Sequence, residues 1–350
     1  MSATPELLDK LLRVPAPSGY ETPAAELWRE EASFAAVSTD GIGSSIARVG
    51  AKSAPLLAVV GHIDEIGLVV RHIDEKGFLW FAPIGGWDPQ ILVGQRVEVQ
   101  GPNGPVPGVV GRRPLHLLDA EARKKVVEMK GMHIDVGVAD RDAAAELVRV
   151  GDPVVIDSDP SPLAGDRIVS RSMDNRLGAY VALEALRRCH ERGSLDASFA
   201  AIAAVQEEIG LYGARASAFA VNPDLAVVVD VTHATDAPGI EERELGSHAL
   251  GSGPAIFRGA TLSPRVFELL VETAEEAGIE HTLGATGSST GTDADGIQFS
   301  RAGIPTGLVA IPLRYMHSPV EMVDLADVEA AVELIAAFAA RLDDQVDLSR

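Results

Sequence analysis

The tripeptide His-Ile-Asp occurs three times, at His62–Asp64, His72–Asp74 and His133–Asp135. A histidine two positions from an aspartate can be a metal ligand beside the carboxylate that orients it. Only the first copy follows an unbroken apolar run, Leu56-Leu57-Ala58-Val59-Val60, which reads as a strand buried on both faces. His72 lies in an alternating segment that enters the turn Asp74-Glu75-Lys76-Gly77. His133 lies in Met132-His133-Ile134-Asp135-Val136-Gly137. These two are expected on strand faces, with structural roles.

Three more apolar runs end in polar groups. Phe199–Val205 is followed by Gln206, Glu207 and Glu208, and Leu225–Val229 by Asp230, Thr232 and His233. Thr306–Pro312 is followed by Arg314 and His317. In open α/β sheets, ligands bind at the carboxyl ends of the strands, so such endings point to one shared site. Asp174 opens the helical pattern that runs to Arg192. There, Ser172 or Asp174 suits a helix N-cap, and Asp174 equally suits a bridging carboxylate. Cys189, the only cysteine, falls inside that helix, which excludes a cysteine-held zinc. The remaining donors fit a two-metal hydrolytic centre, with ions roughly 3.5–4 Å apart sharing a carboxylate and a water. Neighbouring side chains on extended backbone point to opposite sides. One of Glu207 and Glu208 can therefore hold metal while the other faces the water as a general base.

Other chemistries find no support. The Gly-x-Ser-x-Gly match at Gly287–Gly291 follows no unbroken apolar run, so it does not read as the strand-to-helix elbow of a serine hydrolase. The Gly- and Thr-rich stretch Gly284–Gly296 lacks the lysine of a phosphate loop and reads as a substrate-side or structural loop.

The elements that must position these residues follow from the same patterns. Thr4–Ala35 reads as helical around a loop at Ala16–Tyr20. Pro264–Gly278 and Asp324–Asp343 read as helices, the latter with Asp324 or Asp327 near its start. Between Gly67 and Asp159 the texture changes to dense Gly and Pro with short alternating strands such as Gln95–Val99. The expected fold is α/β: a catalytic domain of residues 1–66 and 160–350, with a mixed central sheet flanked by helices. A small β-barrel-like insert, residues 67–159, interrupts it.

Bulk composition narrows the partners. Thirty basic residues against 51 acidic give a net charge of −21, which argues against nucleic acid and anionic membrane. A single cysteine fits a reducing compartment. Nothing before Pro5 reads as a signal peptide, and no apolar run approaches the ~20 residues of a membrane span, so a cytoplasmic location is expected.

Several segments match one family in order and spacing. They are Pro17-Ser18-Gly19-Tyr20-Glu21, Gly61-His62-Ile63-Asp64-Glu65-Ile66-Gly67, Ile84-Gly85-Gly86-Trp87 and Asp174-Asn175-Arg176-Leu177-Gly178. Gln206-Glu207-Glu208-Ile209-Gly210, Asp230-Val231-Thr232-His233 and Arg314-Tyr315-Met316-His317-Ser318-Pro319 complete the set. The chain resembles the cytosolic di-metal aminopeptidases, which include glutamyl, deblocking and tetrahedral aminopeptidases, some labelled endoglucanase M. The resemblance implies removal of N-terminal residues from peptides with a free N-terminus, by a metal-bridged hydroxide. It assigns His62, Asp174 and Asp230 to one divalent ion and Asp174, Glu208 and His317 to the other, zinc or cobalt. Glu207 becomes the general base, and Asp64 orients His62. The β insert becomes a dimerisation element, with dimers assembling into a tetrahedral twelve-mer. Asn175 stands where the family more often has aspartate. His233 reads as a loop residue rather than a pocket residue. The alternatives are a di-metal deacylase or carboxypeptidase with a similar core, a shell-forming relative without activity, and a glucanase. The last is disfavoured by an aromatic content of 5%.

Overall fold

The computed structural model describes residues 4–50, 55–193 and 195–348. Eight strands form a mixed sheet. Its four central strands run in the order Ser198–Ala204, Leu56–His62, Leu225–His233 and Thr306–Leu313, all parallel. Ser45–Val49 and Ala36–Thr39 extend one side antiparallel. Ala255–Gly259, antiparallel to Thr306–Leu313, and Thr282–Thr286 extend the other. Parallel strands are covered on both faces, which is why these central runs carry no polar alternation. Every residue of Leu56–His62, Ser198–Ala204 and Thr306–Leu313 is buried.

The period-2 geometry of strands divides these runs between two cores. Leu57, Val59, Phe199, Ala201, Val227 and Val229 meet the helices Glu6–Arg13, Thr22–Glu31, Met173–Arg192, Pro264–Ala277 and Leu325–Arg341. Leu56, Ala58, Val60, Ala200, Ile202 and Val228 meet the helices Tyr212–Val221 and Ala294–Ile297. The result is a three-layer α/β stack.

Helix ends follow local chemistry with one correction. Ser263 accepts from the Val266 N–H at the start of Pro264–Ala277, and Gly278, at φ +66°, closes that helix. Asp324 caps Leu325–Arg341 through the Ala326 N–H. Asp327 instead accepts from the N–H groups of Gly251 and Gly253, pinning a neighbouring loop. At Met173–Arg192 neither Ser172 nor Asp174 makes a side-chain cap, against the N-cap option; Asp174 itself has non-helical ψ of 103°. Its carboxylate is used elsewhere.

Six strands close a barrel in the order Gly67–Ile73, Leu79–Ile84, Met132–Asp135, Gly104–Arg112, Arg96–Gly101 and Pro153–Ile156. Leu68, Val70, Leu79, Val97, Val99, Ile134 and Val154 fill it. His72 is exposed on its first strand. His133 packs against the rings of Phe78 and Trp80, with centroids 4.7 and 6.0 Å away. A small sheet of Ser161–Pro162, Arg167–Ser170 and Glu321–Asp324 adjoins the start of the Met173–Arg192 helix. Among the described residues no helix is long and apolar enough to cross a membrane.

Candidate active site

All four central strands point their carboxyl ends to one edge of the sheet. A cleft of about 470 Å³ opens there, lined by His62, Asp174, Glu207, Glu208, Asp230 and His317 among others. His62 ends its strand beside Ala204, one residue before the chain turns towards Glu207 and Glu208. Asp230 pairs in register with Ala310.

Asp174 stands between the two histidines. His62 Nε2 lies 3.2 Å from its Oδ1, and His317 Nε2 lies 3.4 Å from its Oδ2. His317 Nε2 is also 3.3 Å from Glu208 Oε2, and His62 Nε2 is 3.7 Å from Glu207 Oε2. Two compact donor groups result: His62, Asp174 and Glu208, and His62, Glu207 and Asp230.

Close backbone approach brings Asp174 here. A Cβ on Gly61 would fall 2.1 Å from the Gly178 carbonyl carbon, and one on Gly178 would fall 2.2 Å from the Val229 carbonyl oxygen. Glycine at both positions lets the helix touch the sheet. Asn175 fastens this contact: its Nδ2 donates to the Val229 carbonyl at 2.8 Å, and its Oδ1 accepts from the Gly178 N–H at 2.9 Å. The Asp174–Asn175 peptide is cis.

A buried polar layer aims the donors. His62 Nδ1 lies 3.4 Å from Asp64 Oδ1, which leaves Nε2 for the cleft. Asp64 is fully buried and also accepts from Ser18 Oγ at 2.6 Å and from the N–H groups of Glu207 and Glu208 at 3.1 and 3.2 Å. One carboxylate thus orders both the histidine and the glutamate pair. Glu321 does the same on the other side, accepting from the N–H of His317 at 2.9 Å and of Asp174 at 3.2 Å. His317 Nδ1–H donates to the Gly86 carbonyl, 2.8 Å away, on the turn leaving a barrel strand.

Below this layer, Glu65 is buried between Arg171 and Arg176. Arg176 also donates to the carbonyls of Leu11, Val14 and Ile63, and so ties the N-terminal helix to the site.

Crowding of like charge shifts the protonation of the whole cluster. Burial pushes Glu207 up to about 10; His62 pulls against the rise, and Asp293 and Asp230 add to it. Burial likewise carries Asp230 well above the carboxylate range. Hydrogen bonds that His317 donates to Asp174 and then to Glu208 raise it to about 11. For His62, burial favours the neutral form, but Glu207, Asp174 and Asp64 override it and hold the ring well above its ordinary value. Asp174 is pushed up by burial, yet the two imidazoles win and hold it low. Among the described residues that line the cleft, imidazolium protons supply the positive charge against packed carboxylates, and divalent cations fit that demand better. The residues fit such ions: oxygen and imidazole donors converge, and Glu208 Oε1 is buried without a hydrogen-bond partner.

Six sequence-derived candidates therefore face one cleft, and Asp64 lies behind it. His233 is the last residue of its strand and lines the cleft, against the loop reading. Gly284–Gly296 is not one loop either: Thr282–Thr286 is an edge strand, while Thr290, Gly291 and Thr292 line the cleft. Glu321, Ser18 and Asp293 escaped sequence reasoning. The first two sit in the Arg314–Pro319 neighbourhood and the Pro17–Glu21 segment, and a polar residue beside a polar motif carries no burial signal. Asp293 is 1% exposed with both carboxylate oxygens unpartnered.

The chain is similar to known proteins in sequence and in fold. Residues 43–334 match the family model described as M42 glutamyl aminopeptidase. The chain is 34% identical to the lysyl aminopeptidase of Pyrococcus furiosus over 339 residues, covering 95% of each chain. A TET aminopeptidase structure from a marine sediment Thaumarchaeota archaeon superposes with a TM-score of 0.93 at 35% identity, covering 97% of this chain and 96% of the other. The Pyrococcus horikoshii TET1 peptidase, which can assemble into a tetrahedron or a large octahedral shell, has a TM-score of 0.86 at 33% identity. That match covers 96% of this chain and 99% of the other.

Proposed function

The chain belongs to the M42 glutamyl aminopeptidase family of metallopeptidases, and on that premise we propose that its cleft is a two-metal aminopeptidase site. The observation that carries this is Asp174, whose two oxygens are divided between His62 and His317 as a bridging carboxylate requires. His62, Asp174 and Asp230 would hold one ion and Asp174, Glu208 and His317 the other, zinc or cobalt. When bound, the pair supplies Lewis acidity and a nucleophilic water near neutral pH.

The protein's own groups then manage protons and orientation. Glu207 faces the cleft beside His62 and Asp230, outside the two ligand sets proposed here, where an ionised carboxylate suits a base that takes the water's proton and delivers it to the leaving amine. Asp64 holds His62 by its Nδ1 side and fixes the Glu207–Glu208 backbone. The acidic cleft suits a peptide's free N-terminal ammonium. We take residues 1–66 and 160–350 as the catalytic domain and 67–159 as the insert that pairs subunits. Leu117 and Val126, each 62% exposed on that insert, support the pairing. Assembly of the dimers into a shell, as in the TET relatives, and a cytoplasmic location complete the proposal.

The test is Glu207→Gln. Metal content should stay at the wild-type level while turnover of aminoacyl anilides falls by about 10²- to 10⁴-fold. A variant that still cleaves would remove Glu207 from the base role. Cleavage of N-acetylated anilides but not free-amine ones would favour the deacylase alternative.

A further inference from the structure

Beyond the proposed metal ligands and base, the cleft wall is made of Leu211, Val231 and Met316, the hydroxyls of Thr232, Thr290 and Thr292, and the His233 imidazole. We infer that the site selects N-terminal residues with uncharged, chiefly aliphatic side chains, over both acidic and basic ones. This rests on the aminopeptidase reading above.

Among the described residues the wall offers apolar carbons, hydroxyls and one imidazole, that of His233 at the end of its strand, but no lysine or arginine. An acidic side chain needs such a cation, because a carboxylate moved from water into a cleft without a partner loses its solvation uncompensated. The near arginines are committed elsewhere. Arg314 is paired with Asp236 at 2.5 Å, and Arg215 lies over the Phe299 ring, 5.7 Å from its centroid. A basic side chain needs a carboxylate outside the ligand and base set, and none lines the cleft. Asp293, next to Thr292 in the chain, does not line the cleft and is buried with neither oxygen exposed. Family members named for glutamyl and lysyl specificity therefore set requirements that this wall does not meet.

The wall is also held in shape. Asp295 accepts from the N–H groups of Thr290 and Gly291, and Thr290 Oγ1 and Thr292 Oγ1 are 2.9 Å apart. Thr232 lies two residues along the strand from Asp230 and so shares its face. It is the position from which a new cation would reach the cleft.

The experiment compares kcat/KM for leucyl, methionyl, glutamyl and lysyl anilides on metal-loaded protein, and repeats the comparison with Thr232→Arg. Leucyl and methionyl substrates should exceed the charged ones by roughly tenfold or more. In Thr232→Arg the glutamyl-to-leucyl ratio should rise by about tenfold. Both substrates are read in one preparation, so this ratio is independent of how much of the variant folds. Calorimetric titration with the products leucine, glutamate and lysine gives a readout without turnover, and leucine should bind tightest. A glutamyl or lysyl anilide cleaved as well as the leucyl one, or glutamate or lysine binding as tightly as leucine, overturns the inference and leaves an aminopeptidase. No cleavage of any free-amine anilide overturns the aminopeptidase reading itself, and the inference with it.

Discussion

Glu321 shows how much of this site depends on a group that never faces the cleft. Each of its oxygens accepts from a different backbone N–H, of His317 and of Asp174. Glu321→Gln keeps the shape but must aim an NH₂ donor at one of those N–H groups, leaving it unsatisfied at a penalty of about 1–3 kcal/mol. We expect lower melting temperature and lower metal occupancy, measured by calorimetry and elemental analysis, with turnover recovered in excess metal. Unchanged occupancy would show that the two ligands hold their places without it. The same cluster predicts a pH response. In the metal-free protein His317 has a folded pKa of about 11, raised above its ordinary value. Its stabilising contribution is fully present below about pH 6.5 and disappears as pH rises towards its folded value. Glu207, raised to about 10, acts in the same direction, because the folded state again binds the extra proton. Chelator-treated protein should therefore melt at lower temperature at pH 9.5 than at pH 7. Metal-loaded protein should lose less, and metal uptake should release protons. A metal-free melting point that rises over this interval would contradict the assigned protonation.

At the scale of elements, the helix Met173–Arg192 is docked by absence of side chain. Gly178→Ala would place a methyl 2.2 Å from the Val229 carbonyl, a contact that only movement of the helix can relieve. Asp174, four residues earlier, would move with it. We expect at least about 1–3 kcal/mol of destabilisation by denaturant titration, with loss of metal binding in the fraction that folds. Gly287→Ala, whose Cβ would meet nothing within 4 Å, is the control and should change neither quantity. This also marks what was legible in the sequence. The central strands were readable because burial on both faces removes every polar residue until the strand ends, so His62, Glu207 and Asp230 stand out against apolar runs. Asp174 was readable as a helix start but not as a non-capping residue, since cap and bridge use the same side chain at the same place. Which strand neighbours which was not readable. The order that puts Leu56–His62 between Ser198–Ala204 and Leu225–His233 is set by packing between residues more than a hundred apart. Glu321 was hidden for a related reason, because its partners are backbone groups and leave no pattern in residue type.

For the whole molecule, the net charge of −21 acts against the assembly proposed here. Each subunit added to a closed shell brings the same sign of charge close to its neighbours, and self-repulsion grows with assembly size. Screening sets how far that repulsion reaches: the Debye length falls from about 30 Å at 0.01 M salt to about 8 Å at 0.15 M. Contacts through apolar surface such as Leu117 and Val126 are local and nearly indifferent to salt, so the two contributions separate experimentally. Sedimentation velocity on metal-loaded protein should show small species, dimers above all, at about 0.01 M salt and growth towards the large assembly at about 0.15 M. Leu117→Glu combined with Val126→Glu should instead weaken the dimer at both salt concentrations, because a carboxylate placed in an apolar contact loses solvation however well the bulk is screened. A size distribution that ignores salt would show that repulsion between subunits is already neutralised at their contacts. A double variant that still dimerises would move the pairing surface off this part of the insert.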